Sequence, residues 1–151
     1  MKKFILGLFL ILGAVSFAVP NYVNTTKIKS AGYEITTDDE DIFSYAKATK
    51  EVGISIALYP VTDTDSKAIS DAVKTSAPDE VKLFISTLEN KRAYVNKFKD
   101  GELYTYNFVP KKQKIKSCHI SVLYTTDKDL SGANLDNAVN SVLNEAESFL
   151  K

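Results

Sequence analysis

The alternation of apolar and polar residues between Val81 and Thr126 predicts the central feature of the chain, four consecutive antiparallel strands. The segments run from Val81 to Leu88, Arg92 to Lys99, Glu102 to Val109 and Ile115 to Thr125. Even-numbered positions in the last two segments are mostly apolar, from Tyr104 to Phe108 and from Cys118 to Tyr124. Because alternate strand residues point to the same side of a sheet, these residues predict a common apolar face.

The join between the second and third of these strands carries the clearest turn signal. Asp100-Gly101 is the dipeptide typical of a two-residue type I′ hairpin turn, which needs two positive φ angles. This turn would set Val95 opposite Tyr106 and Ala93 opposite Phe108.

Strand patterns also precede this region, at Tyr33 to Thr36, Ile42 to Thr49 and Gly53 to Tyr59. A short helix is predicted between them and the four-strand region, from Ser66 to Thr75, with apolar residues from Ala68 to Val73 on one side. Asp65 is suited to cap its start and Pro78 to end it.

The strongest helical pattern lies at the C-terminus. Apolar residues recur there at steps of three and four: Leu135, Ala138, Val139, Val142, Leu143, Ala146, Phe149 and Leu150. We expect this helix to cover the even-numbered sheet face. The prediction is an α+β domain over residues 33–151, with an antiparallel sheet of six to seven strands, a short middle helix and a long amphipathic C-terminal helix.

The start of the chain has the pattern of a signal peptide over residues 1–18. Lys2 and Lys3 precede an apolar run from Phe4 to Phe17, and small residues favour a cut between Ala18 and Val19. The alternative is an uncleaved membrane anchor, but the run is shorter than the roughly 18 apolar residues that span a bilayer. Residues 19–32 are polar and are expected to form an exposed lead-in. The mature chain is therefore expected in the periplasm or outside the cell, with no integral membrane segment.

Charge and cysteine content narrow the function classes. Removing Lys2 and Lys3 leaves 17 basic and 19 acidic residues, so a large electrostatic surface for nucleic acid is not expected. Cys118 is the single cysteine, which excludes an intramolecular disulfide. The fold must then be held by its core.

The order of elements resembles the PsbP/Mog1-like α/β/α sandwich group, which includes small exported bacterial proteins. Gly32-Tyr33-Glu34-Ile35 and the Asp100-Gly101 hairpin are the local matches, and the resemblance covers roughly Tyr33 to Leu150. The proline-containing stretch usual after the first strand is replaced here by Thr36-Thr37-Asp38-Asp39. The resemblance implies a binding or assembly-assisting role and carries over no catalytic residue.

Catalytic and metal-binding patterns are weak in this sequence. Cys118 and His119 are adjacent, but neighbouring strand residues point to opposite faces, which predicts a buried thiol and a solvent-facing imidazole. One histidine and one cysteine cannot form a zinc site of nitrogen and sulfur ligands within one chain.

The acidic run Asp38 to Asp41 is interpreted as a surface turn. The basic run Lys111 to Lys116 is interpreted as a solvated hairpin loop. No cofactor or metal is expected.

The second sheet face offers the candidate binding residues, namely Tyr94, Asn96, Phe98 and Leu103. Aromatic residues beside amides are too polar for a main core and too apolar for a bare surface. Either the helix at Ser66 to Thr75 half-covers this face, or the face is a recognition surface. The leading functional expectation is an exported, non-enzymatic binding or assembly-assisting protein whose partner is an envelope protein or small ligand. The alternative is a small envelope hydrolase or lyase that uses carboxylates.

Overall fold

The computed structural model describes residues 19–60, 63–76 and 83–151. The proposed signal peptide, the stop at Pro78 and the beginning of the strand predicted from Val81 lie outside these ranges. The elements within them are α1 (Thr25–Ser30), β1 (Glu34–Asp38), β2 (Phe43–Ala48), β3 (Val52–Tyr59), α2 (Ser66–Ser76), β4 (Leu83–Leu88), β5 (Ala93–Asp100), β6 (Leu103–Pro110), β7 (His119–Thr126) and α3 (Gly132–Ser148).

The strands form one antiparallel sheet in the order β1-β2-β3-β7-β6-β5-β4. The predicted α+β class, with a short middle helix and a long C-terminal helix, is confirmed. Each strand pairs with the next one along the chain, except that β3 does not pair with β4. β7 lies between β3 and β6 instead. β1 and β4 are consequently the two edge strands.

The apolar core lies between the sheet and α3, as the even-numbered pattern predicts. Tyr106 pairs with Tyr124 and Phe108 with Val122, so these four side chains share one face. The α3 residues buried against this side are Leu135, Val139, Val142, Leu143 and Ala146. The apolar face of the sheet and the apolar side of α3 thus cover each other.

The β5–β6 hairpin forms, but its turn lies one residue later than predicted. Asp100 pairs directly with Leu103, which leaves Gly101 and Glu102 as the turn. Gly101 has φ of +56°, and no described non-glycine residue has a positive φ. A type I′ turn needs two such residues, so the geometry is that of a turn with glycine first, as in type II′.

The predicted hairpin register is therefore wrong by two residues. Val95 lies opposite Phe108 rather than Tyr106, and Ala93 lies opposite Pro110. The later turn avoids a positive φ at Asp100. A two-residue shift leaves every side chain on its predicted face, because side chains alternate with a period of two.

The lead-in is exposed only in part, because two of its residues enter the core. Residues 25–30 form α1, and Val23 and Ile28 are buried in the main core. The segment is held to the end of α3, since the Asn24 N–H donates to the Phe149 carbonyl at 2.8 Å and the Lys151 N–H donates to the Tyr22 carbonyl at 2.8 Å. The lead-in has few apolar residues, so the sequence did not indicate this docking. Two buried side chains are enough to hold the segment when backbone hydrogen bonds also fix it.

On the second sheet face, α2 lies across β5, β6 and β7. Asp65 caps it as predicted, since its Oδ1 accepts from the Ala68 N–H at 2.7 Å. The residues that α2 buries are Ser66 and Ser70, with Ile69 and Val73 half-buried on the same side, whereas Ala68 and Ala72 are exposed. The sheet-facing side of α2 is therefore more polar than the apolar pattern indicates. No helix in the described ranges is long and apolar enough to cross a membrane.

Candidate functional site

The four predicted binding residues occupy one sheet face but differ in accessibility. Asn96 and Phe98 are buried, with 2% and 1% of their surface exposed, while Tyr94 and Leu103 are half-buried. The Asn96 amide donates to the Ser70 carbonyl at 3.0 Å and lies 2.9 Å from Ser70 Oγ. α2 covers the middle of this face, so Tyr94 and Leu103 are the members of the set that a partner can reach directly.

Beneath α2 lies a set of buried, uncharged polar side chains that we call the polar layer. Its members are Ser66 and Ser70 on α2, Asn96 on β5, Thr105 and Asn107 on β6, and His119 and Ser121 on β7. Each is no more than 8% exposed. Burial of polar groups is costly unless they are hydrogen-bonded, so the bonds within this layer decide its stability.

Most groups of the polar layer have partners within the protein. The Asn107 amide N–H₂ donates to Ser121 Oγ at 2.9 Å and to the Val122 carbonyl at 3.1 Å, and Thr105 pairs with Thr125 at 3.0 Å. Asn107 Oδ1 is buried and has no hydrogen-bond partner among the residues that the structure describes. The layer therefore contains one buried acceptor whose bonding capacity is unused.

His119 is buried, with 3% of its surface exposed, so the prediction of a solvent-facing imidazole is wrong. Its Nδ1 lies 3.5 Å from Ser66 Oγ and its Nε2 lies 2.8 Å from Gln113 Nε2. The Gln113 amide nitrogen can only donate, so His119 Nε2 is the acceptor in this contact. The sequence prediction failed because it left β7 uncovered on this side, whereas α2 lies over it.

The Ser66–His119–Gln113 arrangement does not have the geometry of an activated nucleophile. The Ser66–His119 distance is at the long limit of a hydrogen bond, and Ser66 Oγ is enclosed beneath the helix. A neutral Gln113 also cannot stabilise an imidazolium as a carboxylate does. The Ser66–His119 contact joins α2 to β7, and Gln113 reaches the imidazole from the loop before β7. The sequence did not indicate these contacts, because Ser66 is 53 residues from His119 and no helix was predicted to lie over β7 on this side.

Cys118 is buried on the opposite side of the sheet, in the α3 core. Burial raises the pKa of its thiol to about 11, with a smaller opposing contribution from the Tyr22 hydroxyl. The thiol and the imidazole are thus separated by the sheet, as the strand alternation predicts. A thiol of this pKa is a poor nucleophile near neutral pH.

A charged network links α3 to the β1–β2 side of the sheet. Tyr33 donates to Glu145 Oε2 at 2.6 Å, and Lys47 Nζ lies 2.8 Å from Glu145 Oε1. Lys47 Nζ is also 4.2 Å from the centre of the Tyr33 ring. Burial and the Glu145 carboxylate both raise the pKa of Tyr33. All three groups are paired, which is consistent with a structural clamp.

Other charged segments give no metal site or catalytic pair. Within the described ranges, no group of three or more His, Cys, Asp or Glu side chains is arranged to hold a metal ion. Asp39, Glu40 and Asp41 are exposed in a turn, where Asp39 Oδ1 accepts from the Asp41 N–H at 3.1 Å. In the basic loop, Lys111 Nζ donates to the Asn90 carbonyl at 2.7 Å.

An apolar row on edge strand β4 was not identified from the sequence. Leu83, Phe84 and Ile85 are 64%, 36% and 45% exposed, and they are the exposed large hydrophobic residues of the described chain. The Phe84 ring packs edge-on against the buried Phe98 ring at 5.8 Å. Phe84 thus continues the predicted binding face to the edge of the sheet, beyond the part that α2 covers, whereas Leu83 is paired opposite Lys99 and lies on the other face. We call Leu83, Phe84 and Ile85 the β4 row.

Comparisons with protein-family models, curated proteins and solved structures give no match to this chain. The resemblance to the PsbP/Mog1-like group therefore stays an expectation based on the order of elements. The candidate sites rest on their own geometry.

Proposed function

We propose that the mature chain is an exported, non-enzymatic binding or assembly-assisting protein that pairs an extended segment of a partner protein with the edge of β4. The observation that carries this proposal is the β4 row, three consecutive exposed apolar residues on an edge strand. Edge strands present unpaired backbone N–H and C=O groups, which a partner strand can satisfy.

The two edges of the sheet differ in a way that favours β4 as the docking edge. β1 carries Glu34 and Asp38, and charged side chains commonly protect an edge from pairing. β4 has no charged residue from Leu83 to Leu88. A bulge at Ile85 limits the regular pairing length, so we expect a short segment to bind.

The surroundings of the β4 row define the chemistry of the partner. Lys74 Nζ lies 4.5 Å from the centre of the Phe84 ring, and Lys99 is paired opposite Leu83. The row is therefore apolar and has positive charge near its start. A matching partner segment is extended, apolar at alternate positions and acidic at one end.

No Asp or Glu residue of the described ranges is buried as a whole, which favours binding over the alternative of a carboxylate-using hydrolase or lyase. One carboxylate oxygen, Oδ1 of half-buried Asp38 at the end of β1, is enclosed without a partner among the described residues. The buried polar residues of the described chain are Ser, Thr, Asn and His. A general-acid pair requires at least one carboxyl group in an environment that raises its pKa.

A peptide titration followed by amide NMR tests the docking proposal. The probe is a synthetic heptapeptide of alternating valine and threonine with one terminal glutamate. We expect shifts at residues 83–88, and loss of these shifts in Ile85→Lys. Thr37→Lys on the opposite edge is the matched control and should bind normally. A peptide with proline at alternate positions should not bind, because it lacks the donors for strand pairing. Shifts that persist in Ile85→Lys would contradict the proposal.

The proposed export of the protein is tested by a separate measurement. The basic, apolar and small-residue order of residues 1–18 leads us to expect a mature protein that begins at Val19. Intact-mass analysis of the protein from its native host checks this. A mature species that retains Met1 to Phe17 would contradict it.

A further inference from the structure

The two longer helices contact the sheet with different chemistry. α3 buries Leu135, Val139 and Val142 with other apolar residues, whereas α2 buries Ser66 and Ser70 and only half-buries Ile69 and Val73 on the same side. Apolar burial is the main stabilising contribution in packing. α2 therefore obtains less of it than α3 does, and hydrogen bonds to the polar layer make up a larger part of its attachment.

Those hydrogen bonds are few. Asn96 contacts Ser70 at 2.9 and 3.0 Å, and Ser66 lies 3.5 Å from His119. Each can be exchanged for a hydrogen bond to water when the helix moves away, so the net cost of breaking it is modest. Elements with little buried apolar contact open more readily than the core. α2 has the properties of a cover that can leave the sheet.

The polar layer also stabilises the fold less than an apolar layer of the same size would. Asn107 Oδ1 shows this most clearly, since it is removed from water without a replacement donor. Local violations of good packing chemistry are expected where a protein uses a site for function. The sheet surface beneath α2 is such a place.

We propose that the polar layer is a binding site for a small neutral ligand with adjacent hydrogen-bond donors and acceptors, such as a carboxamide, and that α2 is its cover. Asn107 Oδ1 would accept from the ligand. Asn96 and His119 would offer the groups that Ser70 and Ser66 occupy in the closed state. The layer contains no Asp, Glu, Lys or Arg, so a charged ligand would be desolvated without a counter-charge.

Hydrogen exchange of the native protein tests the cover. We expect the amides in the centre of α2 to exchange at least tenfold faster than those in the centre of α3, through an opening that denaturant hardly accelerates. Equal protection of the two helices would overturn the proposal, because it would show that α2 leaves only when the whole domain unfolds.

A titration with acetamide, using acetate as the anion of matched shape, tests the site. Millimolar acetamide is expected to shift the amide resonances of Asn107, His119 and Ser121, and acetate is expected to bind at least tenfold more weakly. Equal responses to both compounds, or no response of the layer to acetamide, would overturn the proposal. Shifts at β4 are outside this test, so its failure is distinguishable from failure of the peptide-docking proposal.

The double variant Asn107→Leu with Ser121→Ala separates a ligand site from a structural layer. It removes both partners of one hydrogen bond at once, so no new unpaired side chain remains at that bond. We expect the acetamide shifts to disappear and Tm to be equal to or higher than that of the parent. A Tm lower by 10 °C or more would show that the layer is needed for folding and would overturn the proposal.

Discussion

At the residue scale, Gly101 is the position where backbone conformation alone makes a side chain unfavourable. Its φ is +56°, and a Cβ added there would meet no atom within 4 Å. A β-branched side chain resists this φ, so Gly101→Val should lower the free energy of unfolding by about 1 kcal/mol or more. Urea denaturation measures the change. Lys112→Ala, at an exposed position, should stay within about 0.5 kcal/mol of the parent. An unchanged midpoint for Gly101→Val would contradict the turn geometry.

Two buried tyrosines allow the contribution of a hydroxyl group to stability to be compared with and without a hydrogen-bond partner. Tyr33 donates to Glu145 at 2.6 Å, whereas the Tyr45 hydroxyl is buried without a partner in the described part of the chain. Tyr33→Phe should therefore cost about 1.5–3 kcal/mol, the range for a hydrogen bond to a charged group. Tyr45→Phe should be neutral or stabilising, because it removes an unsatisfied polar atom. Thermal and urea unfolding of both variants check this, and a larger loss from Tyr45→Phe would contradict the assigned hydrogen bonds.

At the element scale, the sequence was informative wherever one rule governed a long segment. The α3 stripe and the even-numbered face of β6 and β7 follow from periodicity, and both are found in the core. Short elements were harder to predict from the sequence. The two buried anchors of the lead-in, Val23 and Ile28, give no periodic signal, and their burial depends on contacts with the end of α3.

The candidate sites were the least predictable part for a related reason. Ser66 and His119 are 53 residues apart and meet only through tertiary packing. α2 also turns its serines rather than its alanines toward the sheet, beside half-buried Ile69 and Val73. A hydrophobic pattern cannot predict this, since it assumes that apolar residues point inward. The β4 row was missed because the sequence predicts a strand from Val81 to Leu88 but does not indicate which strands lie at the edges of the sheet, and β4 is one of the two edge strands.

The packing of β5 predicts a clear difference between two aromatic residues of the expected binding face. Phe98 is 1% exposed and its ring packs against Phe84, whereas Tyr94 is half-buried. Phe98→Ser should lower the free energy of unfolding by about 3–5 kcal/mol, as for deletion of a core aromatic side chain. Tyr94→Ser should cost much less. Urea denaturation of the single variants measures both, and similar losses would contradict the burial assigned to β5.

At the scale of the whole molecule, the sheet has one face specialised for stability and one with functional candidates. The α3 side holds the aromatic and aliphatic core, including Tyr45, Phe108 and Phe149. The other side holds the polar layer with a smaller apolar set that includes Phe98, Val109 and Leu123, and the β4 row lies at its edge. A domain whose stability comes mainly from one face can keep costly groups on the other.

Buried tyrosines on the stable face give the whole domain a characteristic response to alkali. Burial raises the pKa of Tyr22 and of Tyr106 to about 12, and it also raises the pKa of Tyr33 and Tyr45. In the unfolded chain these hydroxyls lose their protons near pH 10. Between about pH 10 and 12 the folded state therefore binds more protons than the unfolded state. The free energy of unfolding must then fall with rising pH, by about 1.4 kcal/mol per pH unit for each fully retained proton.

This stability is fully present below about pH 10 and is lost as the pH rises toward 12. Urea midpoints at pH 8, 9, 10 and 11 should stay level up to pH 9 and then decrease, while absorbance at 295 nm reports tyrosinate formation together with unfolding. Tyr45→Phe should make the decrease less steep, because one of the protons retained by the folded state is removed. Midpoints that stay level from pH 9 to 11, or tyrosinate formation by the buried tyrosines without unfolding, would show that these hydroxyls reach solvent and would contradict the packing of the core.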